Sequence, residues 1–388
     1  MNVILFDDEY ADHLLPLTFT RPVSELRVGI LTLTEKWSKR LGTTVSYSTR
    51  DYLQKKYELR LEQDNLWVNG GCLPTQELID RIVQLQPGES LRTDNDRIIA
   101  SRTQSLDTPS KHAQVEADLI TYPEDIFSKN GKEIETDFDL LTEGRTSKPL
   151  SGTNTIIGNG RIFIEESATV EGATLNATNG SIYVGEGAEI MEGSIVRGGL
   201  AMCSNSVLKL GSKIYGPTTI GPSSKVGGEV NNSVIIGYSN KGHDGFLGNS
   251  VLGEWCNLGA DTNNSNLKNN YAEVRIWDYT ERRFRRTGKQ FCGLIMGDHS
   301  KCGINTMFNT GTVVGVSSNI FGSGFPRNYV PSFGWGGASG FSTYQLKKAF
   351  ETAELVMQRR NKELNEVERD ILQSIFETTS ENRFWETK

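Results

Sequence analysis

Counting in sixes from Val184, the chain reads Val184, Ile190, Val196, Met202, Leu208, Ile214, Ile220 and Val226, every one aliphatic or Met. With such residues at roughly one position in four, eight in a row arise by chance on the order of 10⁻⁵ times per starting point. A second run in a new phase is Met296, Cys302, Phe308, Val314 and Ile320, and Ile164 and Val170 extend the first run backwards. Ordinary strands repeat at two and helices at 3.6. A period of six predicts triangular coils of three short strands, each strand giving one aliphatic side chain to the interior. The position after it is a tight corner, where glycine costs least, and Gly185, Gly221, Gly227, Gly297, Gly303 and Gly315 stand there. Stacked coils satisfy one another's backbone groups and bury a continuous column. A β-helix is therefore expected over residues 152–330.

The pattern upstream is different. Asn2–Phe6 is a short apolar run that meets Asp7-Asp8, as a buried parallel strand does. Leu26, Ile30, Leu33 and Trp37 fall on one helical face within Ser24–Arg40. Leu66-Trp67-Val68 reads as a second strand, and Leu78, Ile82 and Leu85 as a second helix. Strand, helix, strand, helix predicts an α/β domain with a parallel sheet over residues 1–145. The aperiodic stretch Thr142–Gly152 reads as a linker. From Ser342 the apolar stripes Leu346, Ala349, Phe350, Ala353 and Leu364, Val367, Ile371, Ile375 predict a helical tail over 342–380, packed on the β-helix or on a neighbouring subunit.

The period breaks at Ser239–Gly248 and again over Thr262–Leu294, and breaks in solenoids are usually loops that form a binding face. The second break carries Arg275, Arg282, Arg283, Arg285, Arg286 and Lys289. The patch stands out because the 388 residues have a formal net charge of −7, a balance that argues against general nucleic-acid binding. Five cysteines without a CxxC pair suggest neither a disulfide framework nor a zinc site. No apolar stretch approaches the roughly 18 residues of a membrane span, and a start as acidic as MNVILFDDEY does not read as a signal peptide. The expected setting is cytoplasmic.

Asn240–Asn266, NKGHDGFLGNSVLGEWCNLGADTNNSN, resembles the acetyltransferase motif of the bacterial bifunctional N-acetylglucosamine-1-phosphate uridylyltransferase/glucosamine-1-phosphate acetyltransferase family. That family carries K-x-G-H-x-x-Y-L-G-D, then an I-G step and N-I-G-A-G-T. Gly242-His243, Leu247-Gly248, Leu252-Gly253 and Asn257-Leu258-Gly259-Ala260 match it. The resemblance implies a left-handed β-helix and a general base at His243, which would deprotonate a sugar amine before it attacks acetyl-CoA or another acyl-CoA. An ammonium cannot attack a carbonyl, and an imidazole with a pKa near 6.5 can take its proton at neutral pH. Lys241 would hold a sugar phosphate, and Asn257 and Asn266 the sugar hydroxyls or the amine. Arg282, Arg283, Arg285 and Lys289 either receive the coenzyme's phosphates or form a solvated loop. Phe246, Asn249, Asp261 and Leu267 depart from the family's Tyr, Asp, Gly and Tyr. His299 reads as a corner residue.

Leu14–Pro22, LLPLTFTRP, resembles the R-L-x-P-L-T-x-x-x-P-K stretch of sugar-1-phosphate nucleotidyltransferases. The surrounding FDDEYADHLLPLTFTRPVSELRVGILTL resembles a bacterial family, often described as glucose-1-phosphate thymidylyltransferases, that joins a reduced transferase domain to a left-handed β-helix. This implies a nucleoside triphosphate, Mg²⁺, and a sugar phosphate or nucleotide sugar as ligands, and a homotrimer built on the β-helix. Phe6-Asp7-Asp8-Glu9, however, replaces L-x-x-G-x-G-T-R, whose glycines let backbone N–H groups reach the triphosphate. Asp7 and Asp8 either hold the metal or cap the strand turn. Arg21 and Arg27 either meet the substrate or serve as structural ion-pair partners. The reading carried forward is a sugar-nucleotide pathway transferase, nucleotidyl, acyl or both. Its rival is a trimeric scaffold that binds a nucleotide sugar without turning it over.

Overall fold

The computed structural model describes residues 2–386. Its amino-terminal part contains β1 (Asn2–Phe6), α1 (Leu33–Leu41), β2 (Val45–Ser48), β3 (Asn65–Asn69), α2 (Gln76–Val83), β4 (Glu89–Arg92), β5 (Ile98–Arg102), β6 (Lys111–Gln114) and α3 (Pro123–Thr142). The sheet order is β2-β1-β3-β5-β4-β6, with β1 parallel to both neighbours and β5 antiparallel to β3 and β4.

The helix expected over Ser24–Arg40 begins only at Leu33. Thr32 caps it, accepting from Glu35 N while the Glu35 carboxylate accepts from Thr32 N. Leu26 and Ile30 are buried all the same, in clusters shared with the β-helix. Their spacing serves that interface and not a helical face. Gly29 allows the turn: its φ is +87°, and a Cβ there would lie 2.5 Å from the Asp137 carboxylate. From α3, Asn130 accepts from Gly29 N, and Asp137 from Ile30 N and Leu31 N.

Beyond Thr155 the chain winds as a parallel β-helix with three faces. Face one has six strands, from Thr155–Ile157 to Phe246–Gly248. Face two has nine, from Ile162–Ile164 to Tyr329–Val330. Face three has ten, from Thr169–Val170 to Gly340–Thr343. The residues counted in sixes are the inner column: Val184, Ile190, Met202, Leu208, Ile220 and Val226 are each 0% exposed. Neighbouring inward residues pair in register, as Ile190 with Leu208 and Val196 with Ile214. The first break in the period is not a projecting loop. It is a coil like the others, with Lys241 standing inward opposite Val226. The second break leaves the prism between faces one and two and forms a hairpin, Arg275–Asp278 paired antiparallel with Arg283–Arg286.

The amino-terminal part lies across face two. Leu14, Leu17, Leu26, Ile126 and Phe127 pack against Val234, Val251, Ile295 and Val313 in one buried cluster. The helices α4 (Leu346–Gln358) and α5 (Glu366–Thr378) cover the corner between faces two and three, around Trp255, Val316 and Phe333. Face one is left open, and Ile156, Ile157 and Ile195 stand 45%, 45% and 53% exposed on it.

Candidate functional site

At the carboxyl end of β1, where open α/β sheets bind ligands, a 3₁₀ turn over Glu9–Leu14 replaces a glycine loop. Asp7 turns inward: it accepts from Val23 N at 2.8 Å and from the Thr49 hydroxyl at 2.5 Å. Burial pushes its carboxyl up to about 6. Asp8 accepts from Arg97 Nε at 2.6 Å, from Asn69 Nδ2 at 2.7 Å and from Tyr10 N at 3.1 Å. Arg97 also lies 4.0 Å over the Tyr10 ring. The cavity here is about 260 Å³ and is lined by Asp7, Asp8, Glu9 and Asp96 with Arg92 and Arg97. That is below the roughly 300–1,000 Å³ of small-molecule sites.

The oxygens of Asp7 and Asp8 are thus taken by protein donors. Among the described residues no group of three or more His, Cys, Asp or Glu could hold a metal ion. In this structure Asp7 and Asp8 shape the strand turn through these hydrogen bonds. Arg21 and Arg27, expected at a substrate, are also spent inside the protein. Arg21 is 3% exposed and pairs with Asp298 and, at 3.2 Å, with Glu254. Arg27 donates to the Ile30 and Ile236 carbonyls.

The acetyltransferase-like segment forms the edge between faces three and one. His243 is exposed in the turn between the strands Asn240–Lys241 and Phe246–Gly248. Lys241, 2% exposed within the prism, donates from Nζ to the His243 carbonyl at 2.6 Å. Burial lowers its amine to about 8. Its buried amine holds the turn through the His243 main chain. Asparagines stack the neighbouring coils: Asn240 Nδ2 donates to Asn257 Oδ1 at 3.0 Å and Asn266 Nδ2 to Asn249 Oδ1 at 2.8 Å. Asn263 and Asn264 accept from Phe246 N and Gly248 N.

The expected cationic run divides. Arg285 is bound inward to Glu124 at 2.8 Å and to Asp278, and lies 3.8 Å over the Tyr122 ring. Arg283 points outward, paired with Glu281 at 2.6 Å. Lys289 is half-buried, and its carbonyl accepts from Val274 N. Arg282 borders a cavity of about 910 Å³ between the hairpin, the face-two edge and the carboxyl-terminal segment, together with Lys268, Arg275 and Arg327. Trp277, Phe284 and Tyr329 give it aromatic walls, with Trp277 stacked on Tyr329 at 4.3 Å. Among the described residues that line it, Glu381 is the one acidic residue, and it pairs with Arg282. Arg327 escaped the sequence reading because it lies beyond the second break and meets it only in the fold; Lys268 lies within that break but apart from its arginine run.

The cavity and His243 stand at opposite edges of face one. The cavity borders face two and the imidazole borders face three. A single chain does not bring them together.

Residues 3–146 match the family model described as sugar nucleotidyl transferase. The amino-terminal part is thus similar to that family over residues 3–146. Joined to it, the β-helix makes a two-part chain similar to bifunctional transferases. The chain is 35% identical over 98 residues to the bifunctional protein GlmU of Methanocaldococcus jannaschii, covering 25% of this chain and 22% of that protein. It is 28% identical over 144 residues to the bifunctional sugar-1-phosphate nucleotidylyltransferase/acetyltransferase of Sulfurisphaera tokodaii, covering 37% and 35%. The chain thus spans about a fifth to a third of the length of the curated relatives it matches. The solved polysialic acid O-acetyltransferase OatWY aligns with a TM-score of 0.27 at 14% identity, over 49% of this chain and 87% of that one. Among the described residues no helix is long and apolar enough to cross a membrane.

Proposed function

We propose that the chain is an acyltransferase of sugar-nucleotide metabolism whose amino-terminal part serves recognition and assembly. The observation that carries the reading is the exposed His243 residue on a turn fixed from within by Lys241, at the edge of the open face one. His243 takes the proton of a sugar amine, and the freed nitrogen attacks the thioester carbonyl of an acyl-CoA. Collapse of the tetrahedral adduct breaks the carbon–sulfur bond and releases the coenzyme A thiol. A base of this kind contributes about 10²–10⁴-fold.

The acyl-CoA's phosphates fit the cavity of Lys268, Arg275, Arg282 and Arg327, and its adenine the Phe284 and Trp277 rings. A homotrimer resolves the separation across face one, with His243 of one protomer facing the cation-lined cavity of the next. Leu210 and Ile304, 67% and 70% exposed on the same edge as His243, suit such packing.

The test is thiol release from acetyl-CoA in the presence of amino sugars and amino sugar 1-phosphates. Wild-type protein should turn over at least one of them. His243→Ala should lose about 10²–10⁴-fold in rate with its far-ultraviolet circular dichroism unchanged. Equal rates in the two proteins would refute the assignment.

A further inference from the structure

Successive coils turn from face two to face three through one residue with left-handed backbone. The early coils use Gly187, Asn205 and Ser223, at φ of 63°, 56° and 56°. The later ones place Tyr238, Trp255 and His299 there, at 51°, 61° and 61°. Bulky residues rarely adopt this conformation, and such outliers cluster where a binding site repays them. The three rings form a column. Tyr238 stacks on Trp255 at 4.3 Å and 13°, and Trp255 on His299 at 6.3 Å and 13°. The next coil has the small Ser317 at this corner, so the column ends at His299.

All three rings line a cavity of about 320 Å³ enclosed by the β-helix, the Thr20 loop and α4–α5. His299 is 8% exposed, and its buried Nδ1 has no hydrogen-bond partner among the described residues. Burial, with Lys301, Lys56 and Arg21 nearby, keeps the imidazole neutral by lowering its pKa well below the usual value. Leaving such a nitrogen unpaired is costly unless a ligand or water completes it. The corner beneath it is fixed: Asp298 accepts from Glu254 N, from the Thr20 hydroxyl and from Arg21. The Glu254 side chain is 30% exposed and open to the cavity. Four carboxylates (Glu254, Asp298, Glu363, Glu368) border the space with Lys56 and Lys362, and Arg21 stands behind Glu254 and Asp298. Arg21 and Lys56 are already paired with carboxylates, which disfavours a phosphate.

We propose that this cavity binds an unphosphorylated monosaccharide, its ring against the Tyr238–Trp255 wall and its hydroxyls meeting His299 Nδ1 and the Glu254 carboxylate. The volume lies at the small end for ligand sites, which suits one pyranose. The ring edges of the stacked column give the sugar an apolar wall, and hydrogen bonds to the imidazole and carboxylate take its hydroxyls. The site is separate from the His243 edge and stands whether or not acyl transfer occurs there.

The experiment titrates the full chain with glucose, glucosamine and glucose 1-phosphate, followed by calorimetry and by tryptophan fluorescence. Saturable binding of at least one unphosphorylated sugar is expected, with glucose 1-phosphate at least ten-fold weaker. Trp255→Asn uses a residue this corner already accepts at position 205, so it should fold and lose binding by ten-fold or more, as should His299→Ala. Binding should persist in His243→Ala, which keeps this test independent of the transfer reaction. No saturable binding by any of the three sugars would overturn the proposal, as would glucose 1-phosphate binding as tightly as glucose, or binding that survives both corner substitutions.

Discussion

Lys241 stands in the inner column of the β-helix and donates its Nζ proton to the His243 carbonyl at 2.6 Å, so a buried amine fixes the turn that carries this exposed residue. A column that is otherwise almost wholly aliphatic gains nothing in packing from a lysine. The residue makes sense as a brace for the turn.

The pH dependence of stability follows from that burial. The Lys241 amine falls from its usual 10.5 to about 8 in the folded chain, so between those values the unfolded chain holds more protons. Stability therefore rises with pH across that window, by on the order of 3 kcal/mol for this group. Lys241→Met should remove this part of the rise. Urea melts of both proteins at pH 7.5 and 9.5 measure the difference, and acyl transfer in the variant should fall as the His243 turn loosens.

Asp7 has the opposite sign. Its carboxyl is raised from 3.8 to about 6, so the folded chain binds a proton more tightly and this group's contribution falls as pH rises from about 4 to 6. Asp7→Asn keeps an acceptor for Val23 N and carries no charge. It should be more stable than wild type at pH 7 by on the order of 1–2 kcal/mol, with little difference at pH 4. Thermal melts across that range check it.

The inner column and the α/β order of the amino-terminal part were legible in the residues, because burial in a triangular coil demands one aliphatic side chain every six positions. Ile190, Ile214 and Val314 show that demand directly. Lys241 and Asn264 hid two inward positions, since their polar ends are satisfied by backbone groups of the coil and no periodicity reports that. Leu26 and Ile30 matched a helical stripe while serving an interface formed by distant residues. The cation-lined cavity and the Tyr238–Trp255–His299 corner draw on coils and tail far apart in the chain. Only the His243 edge lies on one continuous segment, and it alone could be read from a motif.

Arg21 holds the loop that docks the amino-terminal domain on the β-helix. Arg21→Met leaves the Asp298 carboxylate buried without its cation, which should cost about 3–5 kcal/mol. Chemical denaturation should show the loss. An unchanged midpoint would mean that the pair contributes nothing to docking.

Asp8 and Arg97 occupy the end of β1, where a phosphate-binding loop would lie. Purified protein with Mg²⁺, a nucleoside triphosphate and glucose 1-phosphate should release no pyrophosphate above background. Steady release that disappears in Asp8→Asn would show a working nucleotidyl transfer site instead.

Completion of the acyl-transfer site between neighbouring protomers is tested most directly by mixing two inactive variants. His243→Ala lacks the base, and the double variant Arg275→Glu/Arg282→Glu reverses two of the four cations of the opposite edge. After denaturation and refolding together, thiol release from acetyl-CoA should return to a measurable fraction of the wild-type rate, because mixed trimers contain intact pairs of edges. If the co-refolded mixture stays as inactive as each variant alone while wild type carried through the same treatment recovers, the two edges do not form one site.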